Sequence, residues 1–303
     1  MHQAAPPRKA ISGTSRTAIA FVALLAGNVA LAFGPWFVRM TDVGPVSAGF
    51  WRIAFAAPLL LLLARRTGSR PFHEARGLGR TLALSGLFFA ADLATWHVGI
   101  HHTKLANATL FGNCASLIFP IYGFIVARAW PTRTQGAALL LALTGALVLM
   151  GRSAEVSPAN FLGDILCLLA GAFYAIYFIL MARVRLVMRP LPALALSSVA
   201  ACLPLLVGAL ATGEKVMPDD WTPLIVLALV SQVLGQGLMT FALGALSPLV
   251  IGLALLTQPV VAATIGWVVY RERLGPLDLI GAVLIAVALV MVRRASGRDR
   301  ERT

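Results

Sequence analysis

The chain carries one apolar unit twice, and this repeat constrains its fold more than any other feature. Six positions recur 145 residues later without a gap, and none is an Ala or Leu that would recur by chance. The pairs are Pro45/Pro190, Thr95/Thr240, Gly99/Gly244, Arg128/Arg273, Pro131/Pro276 and Gly136/Gly281. Each unit holds five apolar spans, an odd number, so the second copy has to enter a membrane from the opposite face. We therefore predict two inverted repeats, residues 17–149 and 162–294, joined by a linker at 150–161.

The spans are membrane helices rather than parts of a soluble core. Hydrophobic residues make up 59% of the chain and charged residues 12%, against roughly 25% charged in soluble domains. A helix needs about 20 mostly apolar residues to cross the hydrocarbon. Ten stretches meet this need, near 17–38, 45–64, 79–99, 105–127, 133–150, 161–181, 192–211, 222–243, 248–269 and 276–292. An outer-membrane barrel would alternate apolar and polar residues, which these runs do not. We predict an all-α polytopic membrane protein with ten transmembrane helices.

The basic residues are unevenly distributed around the predicted spans. With the N-terminus inside, 18 Lys and Arg lie on the cytoplasmic side and seven on the other. This positive-inside bias places both tails, 1–16 and 295–303, in the cytoplasm of a bacterial-type inner membrane. The net charge of +13 is therefore a topology signal and does not indicate a nucleic-acid partner. The N-terminal basic residues and apolar run also resemble a signal peptide. We expect a permanent span, because its removal would leave 161–181 without a counterpart.

Polar residues at mid-depth mark a predicted cavity. Inverted repeats are typical of secondary transporters, which bind substrate near the bilayer midplane between the copies. At about 1.5 Å per residue, positions 10–13 residues into a span lie near that plane. Asn28, Asp92, Tyr174, Gln232 and Gln258 meet this test, and Asn113 and Gln236 lie within about a turn of it. Buried polar side chains face a bundle interior or a water-filled cavity. We expect these residues to line one substrate cavity.

Two groups of ionisable residues have alternative interpretations. Asp92 is the only carboxylate deep in a span, so it is a candidate proton carrier. Alternatively, it is a packing residue hydrogen-bonded to Thr95 or Asn28. His97 and His101 share a helix face, but no acidic or Cys partner for a metal is nearby, and we predict no metal and no cofactor. His97 is either part of a proton relay or a plain interfacial histidine.

Other residues complete the predicted site and its surroundings. Trp96, Tyr174 and Tyr177, with Phe88 and Phe173, are candidates for the apolar walls of the cavity. We expect Arg52 to extend outward from the end of its span in a structural role. The sequence Gly235-Gln236-Gly237 predicts either a close helix crossing or a gating hinge. Gly136 and Gly281 predict close packing of the fifth and tenth spans, within one chain or in a weak homodimer.

Three motifs resemble the drug/metabolite transporter superfamily, specifically its ten-helix EamA-type branch. They are Phe50-Trp51-Arg52-Ile53-Ala54-Phe55-Ala56, Gly163-Asp164 with Ala172-Phe173-Tyr174-Ala175-Ile176-Tyr177, and Tyr270-Arg271-Glu272-Arg273-Leu274-Gly275-Pro276 with Leu279-Ile280-Gly281-Ala282. The first repeat departs from the signature at Ala127–Pro131, and the second has Tyr270-Arg271 where the family has Gly before Glu. The resemblance implies a basket of spans 1, 3, 4, 6, 8 and 9 around a central cavity. It also implies export of metabolites, and the aromatic and amide residues are most similar to YddG-type exporters of aromatic amino acids.

These observations predict a secondary transporter and not an enzyme. It would export amino acids, with aromatic ones favoured, or related small metabolites by alternating access. Its partners would be the small-molecule substrate and the lipid bilayer, and it would act as a monomer or weak homodimer. One alternative is proton-coupled efflux of cationic drugs through Asp92. The other is a membrane-embedded enzyme, for which the sequence offers only His97, His101 and His102.

Overall fold

The described part of the chain is helical. The computed structural model describes residues 13–103, 105–151, 157–270 and 275–301. The helices are Gly13–Ala32, Gly34–Met40, Pro45–Arg66, Pro71–Glu74, Gly79–His102, Leu105–Gly112, Ala115–Ala127, Arg133–Gly151, Phe161–Arg185, Pro190–Ala211, Thr222–Leu227, the π-helix Ala228–Gln236, Gly237–Leu243, Pro248–Leu255, Thr257–Tyr270 and Pro276–Glu301.

Nine candidate membrane spans are present among the described residues. They are Thr17–Met40, Pro45–Arg66, Gly79–His102, Asn107–Ala127, Phe161–Arg185, Pro190–Ala211, Thr222–Leu243, Pro248–Ile265 and Pro276–Arg294. Between the fourth and fifth of these lies a shorter apolar helix, Arg133–Leu149. We number the ten segments spans 1 to 10 in chain order, so that Arg133–Leu149 is span 5. The prediction of an all-α polytopic membrane protein is confirmed.

Spans 4 and 9 are each broken in the middle. Span 4 consists of Leu105–Gly112 and Ala115–Ala127, and span 9 of Pro248–Leu255 and Thr257–Tyr270. In span 9, Pro259 has no N–H for the carbonyl of Leu255, and its ring crowds that carbonyl. In span 4, the carbonyl of Thr109 accepts from the backbone N–H of Asn113 at 3.1 Å and from its side-chain amide at 2.7 Å, and the N–H of Cys114 then bonds to the i−3 carbonyl of Phe111. Asn113 and Gln258, which are 145 residues apart, therefore both lie at helix breaks.

The spans pack in a pattern that is unchanged when the two halves are exchanged. Span 2 packs against span 7, span 4 against span 9, and span 5 against span 10. Span 1 packs against span 8, and the equivalent pair, spans 6 and 3, also pack together. The contact between spans 5 and 10 is close, since a Cβ on Gly281 would lie 2.6 Å from the carbonyl oxygen of Gly145. Gly136, expected at this contact, has no neighbour within 4 Å of an added Cβ. The prediction for Gly136 was wrong, because the start of span 10 packs against the end of span 5, where Gly145 and Leu149 lie, and not against its start.

Spans 2 and 7 also end in the same way. Thr67-Gly68 and Thr212-Gly213 are 145 residues apart, and both glycines have positive φ, 79° and 67°. Only glycine adopts this left-handed conformation at little cost, and it allows the next N–H to cap the helix. Accordingly, the N–H of Ser69 donates to Ala64 and that of Glu214 to Ala209.

The loop after span 7 holds the start of span 2. The Glu214 carboxylate accepts hydrogen bonds from the N–H groups of Val46 and Ser47, at 3.2 and 2.8 Å. A carboxylate at a helix N-terminus satisfies free N–H groups and complements the helix dipole. Lys215, the next residue, donates to Asp42 and to Asp219, each at 2.6 Å. The hydrogen bond from Lys215 to Asp42 holds the pKa of the Asp42 carboxyl well below its ordinary value. The loop thus joins the two halves at one end of the bundle.

Candidate functional site

A cavity of about 100 Å³ lies between the two halves of the molecule. Such a volume admits several water molecules. Its lining comes from spans 1, 2, 3 and 4 of the first half and spans 6, 8 and 9 of the second. The residues are Leu31, Ala32, Gly34, Pro35, Arg52, Phe89, Asp92, Leu93, Trp96, Ala108, Thr109, Gly112, Asn113, Ala115, Tyr174, Gln236, Leu255, Gln258 and Ala262.

Six of the ten predicted site residues line this cavity. They are Asp92, Trp96, Asn113, Tyr174, Gln236 and Gln258. The other four, Asn28, His97, Tyr177 and Gln232, are each 0% exposed and lie behind its wall. Depth along a span therefore selected residues at the level of the cavity. It did not distinguish the residues that line the cavity from those that lie behind its wall.

Two of these four residues hold cavity side chains in place. The Gln258 amide donates to the Asn28 oxygen at 2.8 Å, and the Asn28 amide donates to the carbonyl of Leu24 at 3.0 Å. The Gln232 amide donates to the hydroxyl of Ser198 at 3.1 Å, and its oxygen accepts from Nε of Arg52 at 3.2 Å. A satisfied buried network of this kind fixes the orientation of its members.

The π-helix of span 8 carries both glutamines of this region. Gln232 and Gln236 lie within Ala228–Gln236, and π-helical turns often occur at functional sites. The Gln236 amide donates to the Tyr174 hydroxyl at 2.9 Å across the cavity wall. Nearby, a Cβ on Gly27 of span 1 would lie 3.0 Å from the carbonyl oxygen of Gly235. A Cβ on Gly235 would in turn lie 3.0 Å from Cγ of Leu31, so both glycines permit the close crossing of spans 1 and 8.

Arg52 was expected to reach outward, and this prediction was wrong. The residue is only 4% exposed, lines the cavity, and has its Cζ 5.8 Å from the centre of the Phe89 ring. The sequence contains a signal that was missed. Ala48, Gly49 and Ala56, at i−4, i−3 and i+4, give the same helix face small residues, which are typical of helix contacts inside a bundle.

The Asp92 carboxylate faces the cavity without a hydrogen-bond partner among the described residues. Neither expected packing partner engages it. The Thr95 hydroxyl donates to the backbone carbonyls of Ala91 and Asp92, at 2.7 and 3.2 Å, and Asn28 is bonded to Gln258. The salt bridges within the described part of the chain do not include one between Arg52 and Asp92.

The histidines and the remaining aromatic residues lie outside the cavity lining. Nδ1 of His97 is 2.8 Å from the carbonyl oxygen of Pro45, so this residue connects span 3 to the start of span 2. Tyr177 stacks on Phe89 with 4.6 Å between ring centres, behind the wall. Phe88 and Phe173 contact each other instead of lining the cavity. In the described ranges, no three His, Cys, Asp or Glu residues are grouped in a way that could hold a metal ion.

At one end of the cavity the second helix of span 4, Ala115–Ala127, meets the first helix of span 9, Pro248–Leu255. A Cβ on Gly252 would lie 2.4 Å from Cγ of Pro120, and one on Gly123 would lie 2.8 Å from Cβ of Pro248. On the other side of the breaks, Ala108, Thr109 and Ala262 line the cavity instead. The helices Ala115–Ala127 and Pro248–Leu255 therefore touch at one end of the cavity. The other helices of the two spans, Leu105–Gly112 and Thr257–Tyr270, contribute to its walls.

Apolar spans around a central cavity with a few polar side chains are typical of an α-helical, multi-pass membrane transporter. The profile of the EamA-like transporter family matches residues 11–151 and 161–294, and the chain belongs to this family. In the third motif that carried the resemblance, residues 271–274 lie outside the described ranges.

A sequence relative is itself described as a transporter, and a solved structure shares the fold. An uncharacterized transporter of Archaeoglobus fulgidus is 25% identical over 156 residues, which are 49% of this chain and 52% of the relative. The match thus spans about half of that protein's length. A protein of known crystal structure superposes with a TM-score of 0.70 at 17% identity, over 91% of this chain and 97% of its own. At this identity the likeness establishes the shared fold alone.

Proposed function

We propose that the protein exports amino acids, with aromatic ones favoured, or related small metabolites from the cytoplasm by alternating access. The observation that carries this proposal is a single cavity lined by both halves of the chain at the level of two broken helices. Discontinuous helices near the midplane form the substrate sites of many secondary transporters.

The proposed topology has two inverted repeats with both termini in the cytoplasm of a bacterial-type inner membrane. The repeats are 17–149 and 162–294, with the linker 150–161 and the tails 1–16 and 295–303. The exchange-invariant packing of the spans and the matching ends of spans 2 and 7 support the repeats. The distribution of Lys and Arg supports the orientation.

In this orientation the close contact between spans 4 and 9 is the cytoplasmic gate. Ser116–Gly123 faces Pro248–Gly252 on the cytoplasmic side of the breaks, and the cavity lies on the outer side. We assign this arrangement to the state that is closed to the cytoplasm. Exchanging the conformations of the two repeats would bring Leu105–Gly112 against the second half of span 9 and open the cytoplasmic side.

The lining suits a small substrate with an apolar side chain. Phe89, Trp96 and Tyr174 provide aromatic surface, and the amides of Asn113, Gln236 and Gln258 provide directed hydrogen-bonding groups. Binding pockets usually combine mostly apolar walls with a few placed polar groups. Affinity should be weak, because an exporter has to release its cargo.

Counterflow in liposomes tests this proposal. Purified protein is reconstituted, the vesicles are loaded with unlabelled amino acids one at a time, and uptake of the same labelled amino acid is followed. We expect counterflow of aromatic amino acids, reduced by Gln258→Leu, which removes a cavity amide. The control Gln135→Leu changes an amide at the start of span 5, away from the cavity, and should behave as the unchanged protein. Absence of counterflow for every amino acid and small metabolite in the panel would refute the proposal.

Proton-coupled efflux of cationic drugs is a second candidate, favoured by the Asp92 carboxylate in the cavity. Antiport requires protons to move when a drug moves. A pH-sensitive dye inside the vesicles should then respond when a cationic drug is added to the unchanged protein. Amino-acid export without antiport predicts amino-acid counterflow and no such response to the drug.

A further inference from the structure

We propose that Arg52 and Asp92 form a charge clamp for the main-chain groups of an α-amino acid, with Arg52 binding the carboxylate and Asp92 the ammonium group. This inference rests on the proposed function and specifies how its substrate is recognised. Among the described residues that line the cavity, these two are the only ones with a guanidinium or a carboxyl group, one of each. A site with one charge of each sign complements a zwitterion, whose net charge is zero.

Arg52 is held with part of its guanidinium unused. Nε donates to Gln232, and Gln232 is fixed in turn by Ser198. The terminal nitrogens have no hydrogen-bond partner in the described part of the chain, although the residue is only 4% exposed. A buried charge without a partner is costly. A substrate carboxylate would offset this cost, because the guanidinium can donate to its two oxygens at once.

Asp92 complements Arg52 from a neighbouring span. Among the described residues its carboxyl group lines the cavity without a hydrogen-bond partner and without a salt bridge to Arg52. Nε of Arg52 is bonded to Gln232, and both Arg52 and Asp92 line the cavity. A ligand that carries both charges can therefore satisfy both groups.

The surroundings of the clamp define the rest of the ligand. Phe89 and Trp96, at i−3 and i+4 from Asp92, share its helix face and line the same cavity. Apart from Arg52 and Asp92, the lining described above contains only neutral side chains. Amino acids with uncharged side chains should therefore be favoured, since a charged side chain would be desolvated without a partner.

Three ligands with the same ring test the clamp. Phenylalanine carries both charges, phenethylamine lacks the carboxylate, and 3-phenylpropionate lacks the amine. Each is used to inhibit counterflow of tritiated phenylalanine and, independently, to raise the apparent Tm of the purified protein in detergent. In the unchanged protein, phenylalanine should act at concentrations at least about tenfold lower than the other two, a difference of about 1.4 kcal/mol.

The two variants should change this preference in opposite directions. In Arg52→Gln, phenylalanine should lose its advantage over phenethylamine, while 3-phenylpropionate becomes weaker still. In Asp92→Asn, phenylalanine should lose its advantage over 3-phenylpropionate, while phenethylamine becomes weaker. Gln232→Leu, which removes the support of Arg52, should resemble Arg52→Gln more weakly. The Tm measurement gives a result even for a variant that binds but no longer transports.

The outcomes separate the clamp from the proposed function. If phenylalanine undergoes counterflow but the three ligands act equally, or both variants weaken all three alike, the clamp is refuted and amino-acid export stands. If no amino acid undergoes counterflow or raises the Tm, the clamp and amino-acid export are both refuted, and absence of counterflow for the small metabolites as well refutes the proposed function.

Discussion

At the scale of single residues, the depth of a residue along its span and the direction in which its side chain points are separate quantities. Depth along a span can be counted from the sequence, and it identified Asp92, Asn113 and Gln258 at the level of the cavity. Direction depends on how helices rotate against their neighbours, which no local pattern fixes. Arg52 was misjudged for this reason, and Asn28 proved to support a cavity residue from behind.

The contact between Asn28 and Gln258 should be energetically coupled. Asn28→Leu leaves the Gln258 amide without its acceptor, and Gln258→Leu leaves the Asn28 oxygen without its donor. Each single change should lower the unfolding free energy by about 1–3 kcal/mol. The double variant should lose less than the sum, with a coupling of about 0.5–1.7 kcal/mol, as found between membrane helices. Thermal unfolding in detergent measures all four proteins, and strictly additive losses would contradict the contact.

Glycine positions with and without close neighbours should respond oppositely to the same substitution. Gly252→Ala places a Cβ 2.4 Å from Pro120 and 2.7 Å from the carbonyl oxygen of Ser116. Overpacking of this kind costs about 1–3 kcal/mol. Gly237→Ala meets no atom within 4 Å, and its better helix propensity should add up to about 1 kcal/mol. A Tm that falls for the first and does not fall for the second is expected. Counterflow that persists in Gly237→Ala would also exclude Gly237 as a required hinge.

At the scale of helices, the spans could be predicted but their breaks could not. Long apolar runs with Pro or Gly at their ends gave span limits close to those observed, as for span 8 at 222–243. The breaks in spans 4 and 9 lie inside runs that remain apolar, so hydropathy does not reveal them. Pro259 was a local signal for one break. Pro58, however, lies within the continuous helix Pro45–Arg66, so a proline alone does not decide.

Restoring the missing hydrogen bond in span 9 should slow transport. Pro259→Ala supplies an N–H for the carbonyl of Leu255 and favours a straight helix. If the exchange between states passes through a form that is more strongly bent at this break, a penalty of about 1.4 kcal/mol on that form relative to the described state slows the exchange about tenfold. Pro58→Ala removes a proline from an unbroken, exposed helix face and is the matched control. Initial counterflow rates compare the two, and equal rates would argue against a role for the break.

At the scale of the whole molecule, the packing of the spans stays the same when the two halves are exchanged. Exchange of the halves maps the pair of spans 1 and 8 onto spans 6 and 3, and it maps the pairs 2 and 7, 4 and 9, and 5 and 10 onto themselves. The 145-residue offset in the sequence predicts the two halves, but it does not predict which helix faces of one half contact the other. That pairing arises from contacts between distant residues, such as Glu214 with Val46 and Ser47.

Equivalent positions of the two repeats should lie on opposite sides of the membrane. Thr67 and Thr212 occupy the same place after spans 2 and 7, and both are exposed. Each is changed to Cys in a background where Cys114, Cys167 and Cys202 are replaced by Ala. In intact cells, a membrane-impermeant maleimide should label Thr212→Cys at once and Thr67→Cys only after permeabilisation. Because the two sites share one local structure, different intrinsic reactivity cannot produce this difference. Labelling of both sites in intact cells, or of Thr67→Cys alone, would contradict the inverted arrangement with cytoplasmic termini on which the export direction depends.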